Sequence, residues 1–309
     1  MKTKNFFLTA ALVLATALTG TMMTSCSKID IPVADNDGNP PVPKGKTVKL
    51  DTLSADYVAE DGDILTGTLK NWHKLSIAEG ATVTLSDVIT QIHDDTGITF
   101  PGITCEGNAT IVLADGTVNE LIANQGQPGI LAGGKGTTLI IRGGEKGSGK
   151  LTATGRINAA GIGSGCDMTC GDIKIKGGHI EATGGDYAAG IGTGRHGRCG
   201  IITIEGGVIE ANGGKYAAGI GTGRDGICGN IIISKPATGM ATGGEYSPWD
   251  IGAGKDGMCS YIFIDEETID GKWDDNGGEI PIVDPNGGGG GDSPIGGDDP
   301  IIVHTKGTF

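Results

Sequence analysis

The stretch 159–257 decides the fold. It reads AAGIGSGCDMTCGDIKIKGGHIEATGGDY (159–187), AAGIGTGRHGRCGIITIEGGVIEANGGKY (188–216), AAGIGTGRDGICGNIIISKPATGMATGGEY (217–246) and SPWDIGAGKDG (247–257). The isoleucine of the Gly-Ile-Gly column recurs at Ile162, Ile191, Ile220 and Ile251, the last within Asp-Ile-Gly. A near-constant stride of this size marks stacked structural units, each too poor in apolar residues to bury a core alone. One unit contains I-I-T-I-E (201–205), V-I-E-A-N (208–212) and A-A-G-I-G (217–221) between glycines. The first two alternate apolar and polar residues, as half-buried strands do, and no segment has helical spacing. Roughly 8 glycines per repeat would make a helix costly. The expected fold is therefore all-β: a single-stranded right-handed parallel β-helix of about seven coils of roughly 29 residues, with terminal caps. Each strand should pair with its equivalent one coil later, about 4.8 Å away.

Stacking gives every column a direction. Ile173/Ile175, Ile202/Ile204, Ile231/Ile233 and Ile262/Ile264 should point inward, and Lys174, Thr203, Ile232 and Phe263 outward. Ala153, Ala182, Ala211 and Ala241 form a small inward column, followed by a hydrogen-bonding ladder of Thr154, Thr183, Asn212 and Thr242. The pairs Gly184-Gly185 and Gly213-Gly214 are expected to supply positive φ at corners. Gly102-Ile103 and Gly129-Ile130 look like degenerate copies of the Gly-Ile column, so the solenoid starts early and spans roughly 30–35 Å.

The chain begins with Lys2 and Lys4 before an apolar run over 6–18, then T-M-M-T-S-C ending at Cys26. This pattern is that of a lipoprotein signal peptide (1–25), cleaved before a lipidated Cys26, and the run is too short to span a membrane. Residues 26–47, rich in Pro, Asp, Gly and Asn, form a tether. Residues 48–282 form the β-helix domain, with caps at 48–72 and 265–282, and 283–309 is a Gly/Asp/Pro-rich tail. The last nine residues are too short to interpret. The expectation is an outer-membrane lipoprotein, surface-facing rather than periplasmic, and a monomer. The formal net charge is −14, or about −16 once Lys2 and Lys4 are removed, which excludes nucleic acid as a partner.

Two outward columns are candidates for function. Tyr187, Tyr216 and Tyr246, with Trp249 close to the third, either stack sugar rings or pack on one another at a corner. Arg195, Arg224 and Lys255 lie in Gly-X-X-Gly turns, beside His196, Asp225 and Asp256 and the preceding Asp167. That stripe either binds uronates or sulfated glycans or pairs internally between coils. Asp167, Asp225 and Asp256 at one-coil spacing are the candidate calcium ligands, although no cofactor is required. Cys170, Cys199, Cys228 and Cys259 recur with the coils and lack CxxC spacing, so a buried column of free thiols is expected, with disulfides between neighbouring coils as the alternative for an exported protein. Cys166 could pair locally with Cys170. Glu181 and Glu210 are outward on adjacent coils, better explained as solvated ladder members than as a catalytic pair. No catalytic residue is assigned: short uniform turns leave no walls for a cleft.

Motifs of the form GAGIGxG…CGxIxIxGGxIxATGG resemble those of cell-surface lipoproteins known as carbohydrate-binding-domain proteins of gut-type bacteria. D-G-D-I-L-T-G-T-L (61–69), K-L-S-I-A-E-G-A-T-V-T-L (74–85) and G-I-T-C-E-G (102–107) are similar too, so the resemblance covers roughly 50–265. It implies a β-helix at the cell surface that binds plant or host polysaccharide without cleaving it. The family's acidic-polysaccharide binders use calcium, without a residue-by-residue match here. Against this stand a polysaccharide lyase or hydrolase of the pectin-degrading type and a structural spacer.

Overall fold

The computed structural model describes residues 45–70, 73–90, 99–264 and 307–309. The signal peptide, Cys26, most of the tether and the expected C-terminal cap lie outside them. The chain is an all-β parallel solenoid of about six turns of about 29 residues. The turns can be counted on the eight-stranded sheet that carries the Gly-Ile column. Its register runs Ile77↔Cys105, Ile103↔Ile130, Ile130↔Ile162, Ile162↔Ile191, Ile191↔Ile220 and Ile220↔Ile251. Both degenerate copies therefore belong to the stack. The expected seventh coil is a short entry turn, in which Val58 pairs with Ser76 only 18 residues on. Residues 48–70, expected as a cap without the repeat, extend the same parallel sheets: Thr47–Lys49 pairs with Ile64–Leu69, which pairs with Thr82–Thr90.

Each turn lays down three faces. The Ile-x-Ile strands (Asp172–Ile175, Ile202–Ile204, Ile231–Ile233, Ile262–Ile264) stack on one face. His179–Thr183, Val208–Asn212 and Thr238–Thr242 stack on the next. Both belong to one 15-stranded sheet, because the nine-residue strand Thr82–Thr90 bends to pair with a strand on each face. The Ile-Gly strands close the turn, and the Cys column adds a three-stranded ribbon (Arg198–Cys199, Ile227–Cys228, Met258–Cys259).

The inward isoleucines through Ile233 and all four column alanines are buried, while Ile262 and Ile264, on the outermost described strand of this face, are half-buried. A second ladder runs beneath the Gly-Ile-Gly segments. The hydroxyls of Ser164, Thr193 and Thr222 are buried, and each accepts the amide N–H of the glycine one turn on: Gly194, Gly223 and Gly254, at 3.0, 2.9 and 2.8 Å. A buried amide without such a partner costs about 1–3 kcal/mol, which explains a hydroxyl at this position.

The glycine expectation needs correction. Positive φ falls on the glycine after the column isoleucine (Gly163, Gly192, Gly221, Gly252) and on Gly178 and Gly207, not on Gly184-Gly185 or Gly213-Gly214. Those pairs are glycine because backbone crosses there: a Cβ on Gly214 would fall 1.8 Å from the Gly185 carbonyl oxygen, and one on Gly184 2.1 Å from that of Ala188.

The thiol column is only half free. Cys228 and Cys259, with Cα atoms 4.8 Å apart, form a disulfide, while Cys170 and Cys199 are free and buried. A hydrogen bond with Cys170, then burial, holds the Cys199 thiol well above its usual range. Cys166 does not pair with Cys170. Its Sγ lies 3.1 Å from Asp167 Oδ2, and desolvation, then this bond, pushes the thiol up to about 11.

Candidate functional site

The two outward columns form one face. Behind Tyr187 and Tyr216, two alanines and the tight Gly-Ile-Gly reverse the chain, the Ala189 N–H donating to the Thr193 carbonyl at 3.0 Å; behind Tyr246 the segment is Ser-Pro-Trp-Asp-Ile-Gly. The basic residue follows at once, and its amide donates to the tyrosine carbonyl of the previous turn: Arg224 N to Tyr187 O at 2.9 Å, Lys255 N to Tyr216 O at 2.9 Å. Backbone pairing therefore places the basic side chains beside the tyrosines of their own or the preceding turn. Arg195 Cζ lies 5.4 Å from the Tyr187 ring centroid, Arg224 Cζ 5.7 Å and Lys255 Nζ 5.9 Å from that of Tyr216. Lys215 Nζ sits 5.2 Å from the Tyr246 centroid. Cation–π attraction contributes about 0.5–1 kcal/mol at exposed sites of this kind.

The tyrosines of the column pack on one another. Tyr187 and Tyr216 stack with centroids 4.9 Å apart and planes within 1°, and Tyr216 stacks on Tyr246 at 4.9 Å and 26°. The middle ring has both faces covered. Tyr246 ends the stack and is 46% exposed. Trp249 is half-buried, its backbone tied to the Ser247 hydroxyl.

The acidic column has a backbone explanation. Asp167, His196, Asp225 and Asp256 all occupy the left-handed region, at φ 55, 55, 56 and 58°. Asp, Asn and His tolerate that region best among residues with a Cβ. Each of the first three donates its amide to the basic residue's carbonyl one turn on, as His196 N does to Arg224 O at 2.9 Å. The three aspartates do not converge. His196 lies between two of them, Nδ1 3.6 Å from Asp167 Oδ1 and Nε2 3.4 Å from Asp225 Oδ2. Arg224 Nε lies 3.2 Å from Asp225 Oδ2 and 4.0 Å from Asp256 Oδ2. Among the described residues no group of three His, Cys, Asp or Glu side chains could hold a metal ion. The His196 ring lies between Asp167 and Asp225 and the Arg224 guanidinium beside Asp225 and Asp256, where calcium would have to sit, so the candidate calcium set does not fit that ion.

The remaining acidic candidates are structural. Glu181 and Glu210 pair in register, exposed, and Met240 succeeds them. Lys215 and Glu245 pair at 3.7 Å on the rim of the tyrosine stack; the Tyr246 phenol and then Glu245 raise the Lys215 pKa. The sequence reading treated the tyrosine and basic columns as separate. The eight-residue offset of Tyr187/Arg195 and Tyr216/Arg224, nine at Tyr246/Lys255, was the signal that could have joined them, once the reversal after each tyrosine was known.

Stack, register and period define a parallel β-helix repeat protein. A family model described as "Beta helix repeat" matches the chain at residues 146–166, 173–195 and 202–224, the turns that build the tyrosine–arginine face. Neither the curated proteins nor the solved structures contain a match. This fold occurs both in binding proteins and in pectin-degrading enzymes.

Proposed function

We propose that this chain is a non-catalytic surface lipoprotein, anchored through a lipid on Cys26, whose tyrosine–arginine face binds acidic polysaccharide. The observation that carries the reading is the row of Arg195, Arg224 and Lys255 held against stacked tyrosines, one cation per turn. Strand spacing sets those cations about 4.8 Å apart, close to the length of one sugar unit. Carboxylates or sulfates of an extended glycan meet the cations, and a sugar ring lies on the outer face of Tyr246. Stacked inner rings contribute edges and hydroxyls rather than faces. Binding rather than cleavage is favoured by the pairing of Arg224 with Asp225 and Asp256, which leaves it poorly suited to act as a base.

The test is affinity electrophoresis through polygalacturonate, with a neutral glucan as control. The native chain should be retarded by the acidic polymer alone, less so as salt rises, and equally with a calcium chelator present. Arg224→Gln with Lys255→Gln should lose at least about tenfold in affinity, of the order expected for two charge-assisted contacts. Equal retardation of native and variant chains would refute the proposal, and so would release of unsaturated oligouronides followed by absorbance.

A further inference from the structure

At the far end of the solenoid the inward column Leu151, Ile180, Ile209 continues, in register, to Gly239. Three residues of apolar bulk are followed by none. Gly239 has φ 154°, and a Cβ there would lie 1.9 Å from the Ile209 carbonyl oxygen, so the position cannot hold a side chain. The backbone itself thus leaves the core open at strand Thr238–Thr242. Gly307–Thr308 lies antiparallel on the edge of that strand, with Met240 opposite Thr308 and Ala241 opposite Gly307. Gly239 and Phe309 then exchange both backbone hydrogen bonds, Gly239 N to Phe309 O at 2.9 Å and Phe309 N to Gly239 O at 3.0 Å. Residues paired in this way present their side chains on the same face, so Phe309 is directed inward where the column is empty. It is 5% exposed and belongs to the core cluster.

We propose that the edge of Thr238–Thr242, with its Gly239 gap, is a strand-acceptor site. It takes an extended peptide bearing a bulky apolar side chain opposite Gly239, and the chain's own Gly307–Phe309 fills it. The recognition has two parts: main-chain hydrogen bonds supply affinity, and the gap selects the side chain, as in other cases of strand addition. Only the residue opposite Gly239 is specified, because Thr308 on the opposite face is exposed. The 42 residues between Ile264 and Gly307 (265–306) tether the occupant at an effective concentration of about millimolar, so a peptide in trans competes poorly with the native tail.

The test uses the full chain with Phe309→Ala and a fluorescent peptide of sequence Thr-Lys-Gly-Thr-Phe. The variant should bind the peptide at least about tenfold more tightly than the native chain does, and a peptide ending in Ala should not bind. Hydrogen exchange of the Gly239 and Phe309 amides in the native chain is the companion measurement. Slow exchange at both, lost at Gly239 in the variant and restored by the peptide, is expected. A folded variant that ignores the peptide would overturn the proposal. If the variant fails to fold, fast exchange at both amides in the native chain overturns it and protection at both upholds it.

Discussion

At the scale of single residues, most of what looks like composition is backbone geometry. Gly214 has no torsional reason to be glycine, since the Gly185 carbonyl beside it is what excludes a Cβ. Gly214→Ala should therefore cost at least about 1–3 kcal/mol in chemical denaturation, because backbone on both sides must move. Gly134→Ala, where nothing lies within 4 Å, should be neutral or slightly stabilising. Equal effects would mean that the crossing at Gly214 is looser than the geometry requires. Thr222 offers a second check. Thr222→Val keeps the shape but leaves the buried Gly254 amide without its acceptor, an expected loss of about 1–3 kcal/mol, whereas Thr222→Ser should retain most of the stability. Cys166 gives the pH dependence. Its thiol is pushed up to about 11, so the reactive thiolate is scarce at pH 8 and alkylation should accelerate with pH until that range. Asp167→Asn, which removes the neighbouring charge, should shift that rate profile to lower pH. The glycine pairs show a limit of sequence reading: glycine at a corner is visible, but torsion and close approach leave the same letter.

Among the elements, the ladders were the legible part. The stride of Ile162, Ile191 and Ile220 set the register that the sheet adopts, and the alternation in 173–175 and 202–204 set which side faces inward. Legibility came from repetition: one weak pattern read several times becomes decisive. Whatever occurs once was not legible. Phe309 meets Gly239 across 70 positions, with no periodicity to announce the contact. The tyrosine rings could be placed in a column, but their face-to-face stacking depends on side-chain angles that the stride does not set. The ladders also rank their own members. Ile220 is packed between turns on both sides, and Ile220→Ala should cost about 2–5 kcal/mol. Ile264 lies on the outermost described strand of its face and is half-buried, so Ile264→Ala should cost clearly less by the same urea titration. A larger loss at Ile264 would show that something further packs on that strand.

For the whole molecule, a solenoid transmits stability only from turn to turn, and the cysteine column makes this measurable. Cys228–Cys259 closes a loop across 31 positions between the last two turns of the column. By chain entropy such a link contributes about 3–4 kcal/mol. In a globular core that loss would spread through the cooperative unit. Here each turn touches only its neighbours, so the effect should decay along the rod. Cys228→Ser with Cys259→Ser should speed amide exchange in strands Ile220–Gly221, Ile251–Gly252 and Met258–Cys259. Exchange in Leu75–Ile77 and Ala109–Leu113, several turns away, should stay at the native rate. Cys170 and Cys199, free and buried in the middle of the stack, should still react with a thiol reagent only in denaturant. A uniform rise in exchange from one end to the other would contradict turn-by-turn coupling. It would also mean that changes on the tyrosine–arginine face cannot be made without disturbing the Gly239 acceptor, which a chain of nearest-neighbour contacts otherwise allows.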